Sequence, residues 1–299
     1  MSEIRVNNIT NRDGSTGTTV AGIPVVDSTS HFVVPTGRTG SRYVYTDGGE
    51  NIVRDGLVLH LDAKYSYPSK TGITSTTDSL DPDVYTWYDM SGYNNHASLE
   101  SISSASAGPS YNTTNGGYFE FTSFDRVSFG TQEYDSSLPL TFSTWVNIAD
   151  LSVATTIPLL ALKTTKGEYF YILASESSNY EGITIGGPSN WVRRNTDTAN
   201  TFFDGNWVNI TVTYNGESTS DANNFKIYEN SVSKTLNDGT GVLASAGDSG
   251  ANNLNQFGRF NSGNTASGTK YAQVMLYQKE LTAAEVLQNY NALKGRFGL

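Results

Sequence analysis

Two stretches of strict alternation constrain this chain more than anything else in it. In residues 140–148, LTFSTWVNI, Leu140, Phe142, Thr144, Val146 and Ile148 fall on one side, and Thr141, Ser143, Trp145 and Asn147 on the other. In residues 207–214, WVNITVTY, Val208, Ile210, Val212 and Tyr214 alternate with Trp207, Asn209, Thr211 and Thr213. A period of two belongs to a β-strand with one buried face, and β-branched and aromatic residues suit a pleated surface. Both segments therefore read as central strands of a large β-sandwich.

The length of 299 residues accommodates one large β domain plus an extension, or two small domains. A domain of roughly 200–250 residues buries enough apolar surface to stand without staples. There are no cysteines, so disulfides, cysteine nucleophiles and cysteine-ligated zinc are excluded. The net charge of −10 is dispersed and no basic stripe offers itself to phosphates, which argues against nucleic acid and anionic membranes as partners. The opening residues MSEIRVNNITNRDG lack the apolar core of a secretory signal, and no window approaches the roughly 18 apolar residues of a membrane span.

Residues 1–56 differ from the rest of the chain. Runs of Gly, Ser, Thr and Asn separate short apolar islands at Ile23-Pro-Val-Val, His31-Phe-Val-Val and Tyr43-Val-Tyr. That is too little apolar material for an independent core. The segment reads as an arm ordered by a neighbouring subunit or a larger assembly, or else as a flexible leader. From Gly56 the pattern changes. Residues 57–62, LVLHLD, read as the first sandwich strand. Further strands are expected at 118–121, 127–129, 158–163, 169–174, 182–186, 225–229, 256–259 and 272–277, with turn-rich connections. Many strands and few helices mean a sandwich or a barrel. One helix is expected near the C-terminus: Thr282-Ala-Ala-Glu285 is a capping box, Val286, Leu287, Tyr290 and Leu293 form an apolar stripe, and Gly295 stands where a capping glycine belongs.

These segments resemble a known family. Residues 56–63 (GLVLHLDA), 87–96 (WYDMSGYNNH), 142–146 (FSTWV) and 207–216 (WVNITVTYNG) are similar to the concanavalin A-like lectin/glucanase superfamily, in its laminin-G-like branch. Residues 275–297 resemble the end of such domains in virion proteins of tailed phages. The opening MSEIRVNNIT resembles the start of fibre-like structural proteins of marine phages, especially cyanophages. The resemblance covers about residues 56–299. It implies an all-β, two-sheet antiparallel jelly-roll sandwich, with an extended N-terminal arm and one short C-terminal helix added by the reading above. Such domains often bind carbohydrate and sometimes calcium.

Glycosidases on this fold place two carboxylates at a Glu-x-Asp-x-x-Glu spacing, one to donate a proton and one to attack or to activate water. That spacing is absent; Glu168 and Glu176 are isolated, and Asp81 and Asp83 lie in a Pro-containing loop. The chain is therefore read as no enzyme. His31, His60 and His96 are scattered, with His60 expected as a half-buried strand residue. Residues 89–96, DMSGYNNH, pack a carboxylate, amides and a glycine into one turn. Asp89 reads first as an Asx-type turn residue holding its own loop. The competing reading is a calcium site in which Asp62 and Asp125 help Asp89. Tyr180, Trp191, Arg193 and Arg194 form a candidate carbohydrate patch, because flat rings stack on sugar faces while polar groups bind hydroxyls.

The reading that joins these observations is a non-enzymatic phage structural protein on the virion surface: fibre, neck or head decoration. Residues 1–56 would attach it to other virion proteins, and residues 57–299 would form the displayed jelly roll. A homo-oligomer is expected, a trimer by analogy to fibres. The alternative is an adhesin module recognising host surface glycans.

Overall fold

The computed structural model describes residues 51–64, 86–101, 108–122, 124–130, 133–135, 137–148, 156–163, 169–175, 182–186, 193–196, 205–217, 224–239, 255–258 and 267–299, together with four short N-terminal strands. The chain divides into two compact units, Met1–Ile52 and Val53–Leu299. In the first, β1 (Thr19–Val20) pairs with β2 (Ile23–Pro24), and β3 (Phe32–Val34) pairs with β4 (Arg42–Val44), both antiparallel. The apolar islands of the sequence are thus found as paired strands of two or three residues.

The second unit is a sandwich of two antiparallel sheets. One sheet runs β18 (Val232–Ser233), β17 (Phe225–Glu229), β16 (Trp207–Tyr214), β11 (Leu140–Asn147), β21 (Thr269–Tyr277), β9 (Tyr118–Phe121), β8 (Ser110–Asn112). An eighth strand, β5 (Leu57–Asp62), shares the far edge of β21 with β9: β9 pairs at residues 269–271 and β5 at residues 273–277. The other sheet runs β14 (Gly182–Gly186), β13 (Tyr169–Ser175), β12 (Thr156–Lys163), β20 (Gln256–Phe257), β10 (Asp125–Phe129), β7 (Ala97–Ser101), β6 (Thr86–Trp87). A separate ribbon joins β15 (Arg193–Thr196) to β19 (Leu236–Gly239).

The alternation read from the sequence fixes which side chains enter the core. Leu140, Phe142, Val146, Ile148, Val208, Ile210 and Val212 face Trp87, Val127, Phe129, Leu160, Ile172 and Phe257 from the opposite sheet. A bulge in β21 opposite Trp145 and Val146 turns Tyr271 inward, out of step with Gln273. Tyr271 then packs on Phe121 (4.8 Å) and donates its hydroxyl to Pro158 O across the core at 3.3 Å.

The opposite side of the β5–β21–β11–β16 surface is also buried, which single-faced alternation did not foretell. Its cover is the C-terminal segment. Helix α1 (Ala283–Leu293) starts at the expected capping box, with Thr282 Oγ1 accepting from Glu285 N and Glu285 Oε2 accepting from Thr282 N. It buries Val286, Asn289 and Leu293, while Leu287 points to solvent, 46% exposed. Gly295 does not end it: a 3-10 turn follows at Lys294–Phe297, and Gly298 takes the left-handed φ of +77°. The extra turn carries Phe297 onto Trp145 (ring centroids 4.2 Å apart) and Trp207 (4.9 Å).

The sandwich also takes in residues ahead of Gly56. Val53 N donates to Asn289 Oδ1 at 2.7 Å, Tyr277 Oη donates to Val53 O at 3.0 Å, and Asn289 Nδ2 donates to Tyr277 Oη. This closed ring of buried polar groups ties the segment to both α1 and β21. A chain starting at Val53 is therefore expected to melt like the full sandwich. A chain starting at Leu57 should lose about 2–3 kcal/mol, or roughly 5–10 °C in Tm, because Asn289 and Tyr277 remain buried without their partner. Equal melting temperatures for the two truncations, measured by circular dichroism, would contradict this boundary.

Candidate functional site

Asp89 follows β6 on a loop that borders β5. Its Oδ1 accepts from His60 N (2.8 Å) and Ser91 N (2.9 Å), and its Oδ2 accepts from Ser91 Oγ (2.7 Å) and Asn95 N (2.9 Å). Four donors fill the acceptor capacity of a carboxylate. The Asx-type turn is present, and it reaches further than its own loop by holding the main chain of β5. Asn95 Nδ2 adds a bond to Val58 O at 2.8 Å.

Asp62 and Asp125 are buried in different settings. Asp125 Oδ2 accepts from Thr122 N at 2.7 Å and closes the turn between β9 and β10. Asp62 Oδ1 accepts from Lys64 N and forms an ion pair with Arg296 Nη1, both at 2.8 Å. Among the described residues, no three His, Cys, Asp or Glu side chains come together as metal ligands. The expected trio of Asp62, Asp89 and Asp125 does not fit calcium, which needs roughly six to eight convergent oxygens. One carboxylate is saturated with N–H and O–H donors, and another already faces a guanidinium.

The expected carbohydrate patch is placed only in part. Tyr180 and Trp191 lie outside the described residues. Arg193 and Arg194 open β15, opposite Gly239 and Asp238 of β19. Glu168, Glu176, Asp81, Asp83 and His31 also lie outside the described residues.

Two sites that sequence reasoning missed are legible in the structure. The first is the polar row beneath the C-terminal segment. Asp62, Gln273, Trp145 and Asn209 are cross-strand neighbours, followed by His60, Met275, Ser143 and Thr211. Asn209 Nδ2 donates to Thr144 O at 3.1 Å, and Ser143 Oγ and Thr211 Oγ1 share a bond of 2.8 Å. His60 is 3% exposed rather than half-buried, with Nε2 at 3.0 Å from Gln273 Nε2. Burial pulls its pKa down to about 4, although the Asp62 carboxylate opposes the shift.

The second is a shallow recess at one end of the sandwich, with room for little more than water. Leu140 and Tyr214 of one sheet and Leu162 and Phe170 of the other form its walls, closed by Tyr134, with Asp135 and Gln278 on the rim. Glu133 and Asp135 stand two residues apart here, but Leu138 occupies the position where a glycosidase spacing needs its second Glu. Glu133 is instead paired with Lys163 at 2.6 Å.

The family model described as the concanavalin A-like lectin/glucanases superfamily matches residues 114–287. The chain belongs to this superfamily. Among solved structures, the botulinum neurotoxin DC binding domain in complex with rat synaptotagmin II is similar over 80% of this chain, at 16% identity and a TM-score of 0.50. The structure described as HCR/D-Sa-GBL1/C is similar over 80%, at 15% identity and a TM-score of 0.52. At these identities the likeness is one of fold. The chain spans about half, 52%, of each of those chains. No curated protein matches the sequence. In this superfamily member the two sheets are those that the resemblance implied.

His60 generates a pH prediction. Its folded pKa is depressed below the usual 6.5, so neutral His60 supports stability above pH 6.5, and that support is lost as pH falls toward 4. The loss is on the order of 3 kcal/mol. Urea melts at pH 7 and pH 4 should show a smaller drop for His60→Gln than for the wild type. An identical drop in both proteins would mean that His60 does not titrate on unfolding.

Proposed function

We propose that the protein is a non-enzymatic structural component of a tailed-phage virion, held to the particle by its N-terminal arm and displaying the sandwich at the surface. The observation that carries this reading is the division of the chain. Residues 53–299 form a self-contained sandwich, whereas the strands of the first unit are only two or three residues long. Strands that short gain most of their stability from what they pair with or pack upon. The composition of residues 1–56 and the resemblance of their opening to phage fibre-like proteins point to an assembly partner or a second copy. A homotrimer is the arrangement suggested by analogy to fibres.

A non-enzymatic role accords with the carboxylate arrangement. Leu138 stands where a second catalytic Glu would be required, and Glu133 is neutralised by Lys163. The neurotoxin neighbour is itself named as a binding domain, and its partner in that structure is a protein.

A second reading, a carbohydrate-binding module facing host glycans, is supported by the match to a lectin superfamily. The two readings coexist in a fibre and separate by experiment. Particles assembled with a chain lacking residues 1–52 should lack the protein, while the truncated sandwich accumulates folded in the lysate. Incorporation at wild-type levels would sink the arm. On a glycan array, saturable binding by the sandwich would establish the lectin reading, and a blank array would remove it.

A further inference from the structure

Arg296 is the most enclosed cation among the described ion pairs, with its side chain 7% exposed against an Asp62 side chain at 0%. Its guanidinium meets four oxygens. Nη1 lies 2.8 Å from Asp62 Oδ1, Nε donates to Asn115 O at 2.7 Å, and Nη2 donates to Gly117 O at 2.5 Å and to Gly116 O at 3.4 Å. The three carbonyls come from consecutive residues, and all three residues have positive φ: +49° at Asn115, +72° at Gly116 and +110° at Gly117. Two glycines make the conformation accessible. A Cβ on Gly116 would stand 2.9 Å from Arg296 Nε, and one on Gly117 would stand 2.7 Å from Tyr111 Oη and 3.0 Å from Ala63 O.

Three carbonyl dipoles and a carboxylate ranged around the three nitrogens of one guanidinium repel one another unless positive charge lies between them. Carboxylate and main-chain carbonyl oxygens are also the donors that calcium selects. The backbone is bent to present those oxygens, and a side chain from the other end of the domain fills the centre. We infer that this is a cation cage whose resident cation is Arg296, and that it accepts a divalent ion when the guanidinium is removed. Arg296 makes calcium dispensable to this sandwich and uses the same charge to seat the last turn of the chain, with Phe297, over Trp145.

The test uses the full chain in thermal melts with EDTA and with about 10 mM calcium chloride, a concentration that saturates weak extracellular-type sites. Wild-type protein should give one Tm in both. Arg296→Ala should melt roughly 6–12 °C lower in EDTA, because a buried carboxylate loses its partner. Calcium should restore at least half of that loss, and terbium should luminesce through Tyr111, whose hydroxyl lies 3.2 Å from Ala63 O beside the cage. Adding Asp62→Asn should abolish both responses. The inference is overturned if EDTA lowers the wild-type Tm, if Arg296→Ala is as stable as wild type, or if the variant is destabilised without any response to calcium or terbium. Should Arg296→Ala fail to fold in either buffer, Arg296→Gln is melted in the same two buffers. A glutamine variant that gains Tm and terbium luminescence supports the inference. One that gains neither overturns it.

Discussion

Trp145 has to be covered on the outer side of β11, and much of the second unit depends on how that is done. A fully buried indole is among the largest contributions any one side chain makes to a core. Here it lies on the sheet face that a two-layer sandwich would leave to solvent. Phe297 and Tyr290 stack on it with ring planes 17° and 13° from parallel. This contact brings down α1 and the 3-10 turn, and with them a third layer. Every residue of β11 is consequently buried, Thr, Ser and Asn included.

Covering a polar face creates an obligation that the structure meets in part: Trp145 Nε1, Thr213 Oγ1, Gln273 Oε1 and His60 Nδ1 have no hydrogen-bond partner among the described residues, whereas other groups are matched. Thr141 Oγ1 donates to Lys279 O and accepts from Leu281 N; Asn209 bridges to β11; Asn289, Tyr277 and Val53 complete one another. Charge is handled in the same way. The Asp62 carboxylate is balanced by Arg296 from the same covering segment, and His60 beside it is held neutral by burial. The cover is thus specified by polar matching as much as by apolar area, which fixes its register on the sheet.

The fold was legible where a single physical pattern dominated. Alternation located β5, β9, β11, β16 and β17 because each has one face turned to the core, and Thr282-Ala-Ala-Glu285 located the start of α1 because a capping box is local chemistry. Strands such as β8 (SYN) and β18 (VS) are short, polar and exposed or half-exposed, so their pairing arises from the neighbouring strand rather than from their own residues. The site was less legible for a related reason. Asp89 announced its loop, since its partners lie within seven residues apart from one bond to β5. Asp62 could not announce Arg296, which is 234 positions away, and nothing in the spacing of Asn115, Gly116 and Gly117 says that their carbonyls converge. Gly295 misled because glycine also fits inside a 3-10 turn.

The virion role proposed for this chain rests on the division between the sandwich and a separate unit of short paired strands. Immunogold electron microscopy tests that role most directly, using an antibody to residues 57–299 on purified particles from an infected culture that expresses the chain. A displayed structural part predicts gold at one regular position on intact particles, whether head, neck or tail. Unlabelled particles, with the protein abundant in the lysate, would contradict a structural role and leave a free binding protein in its place.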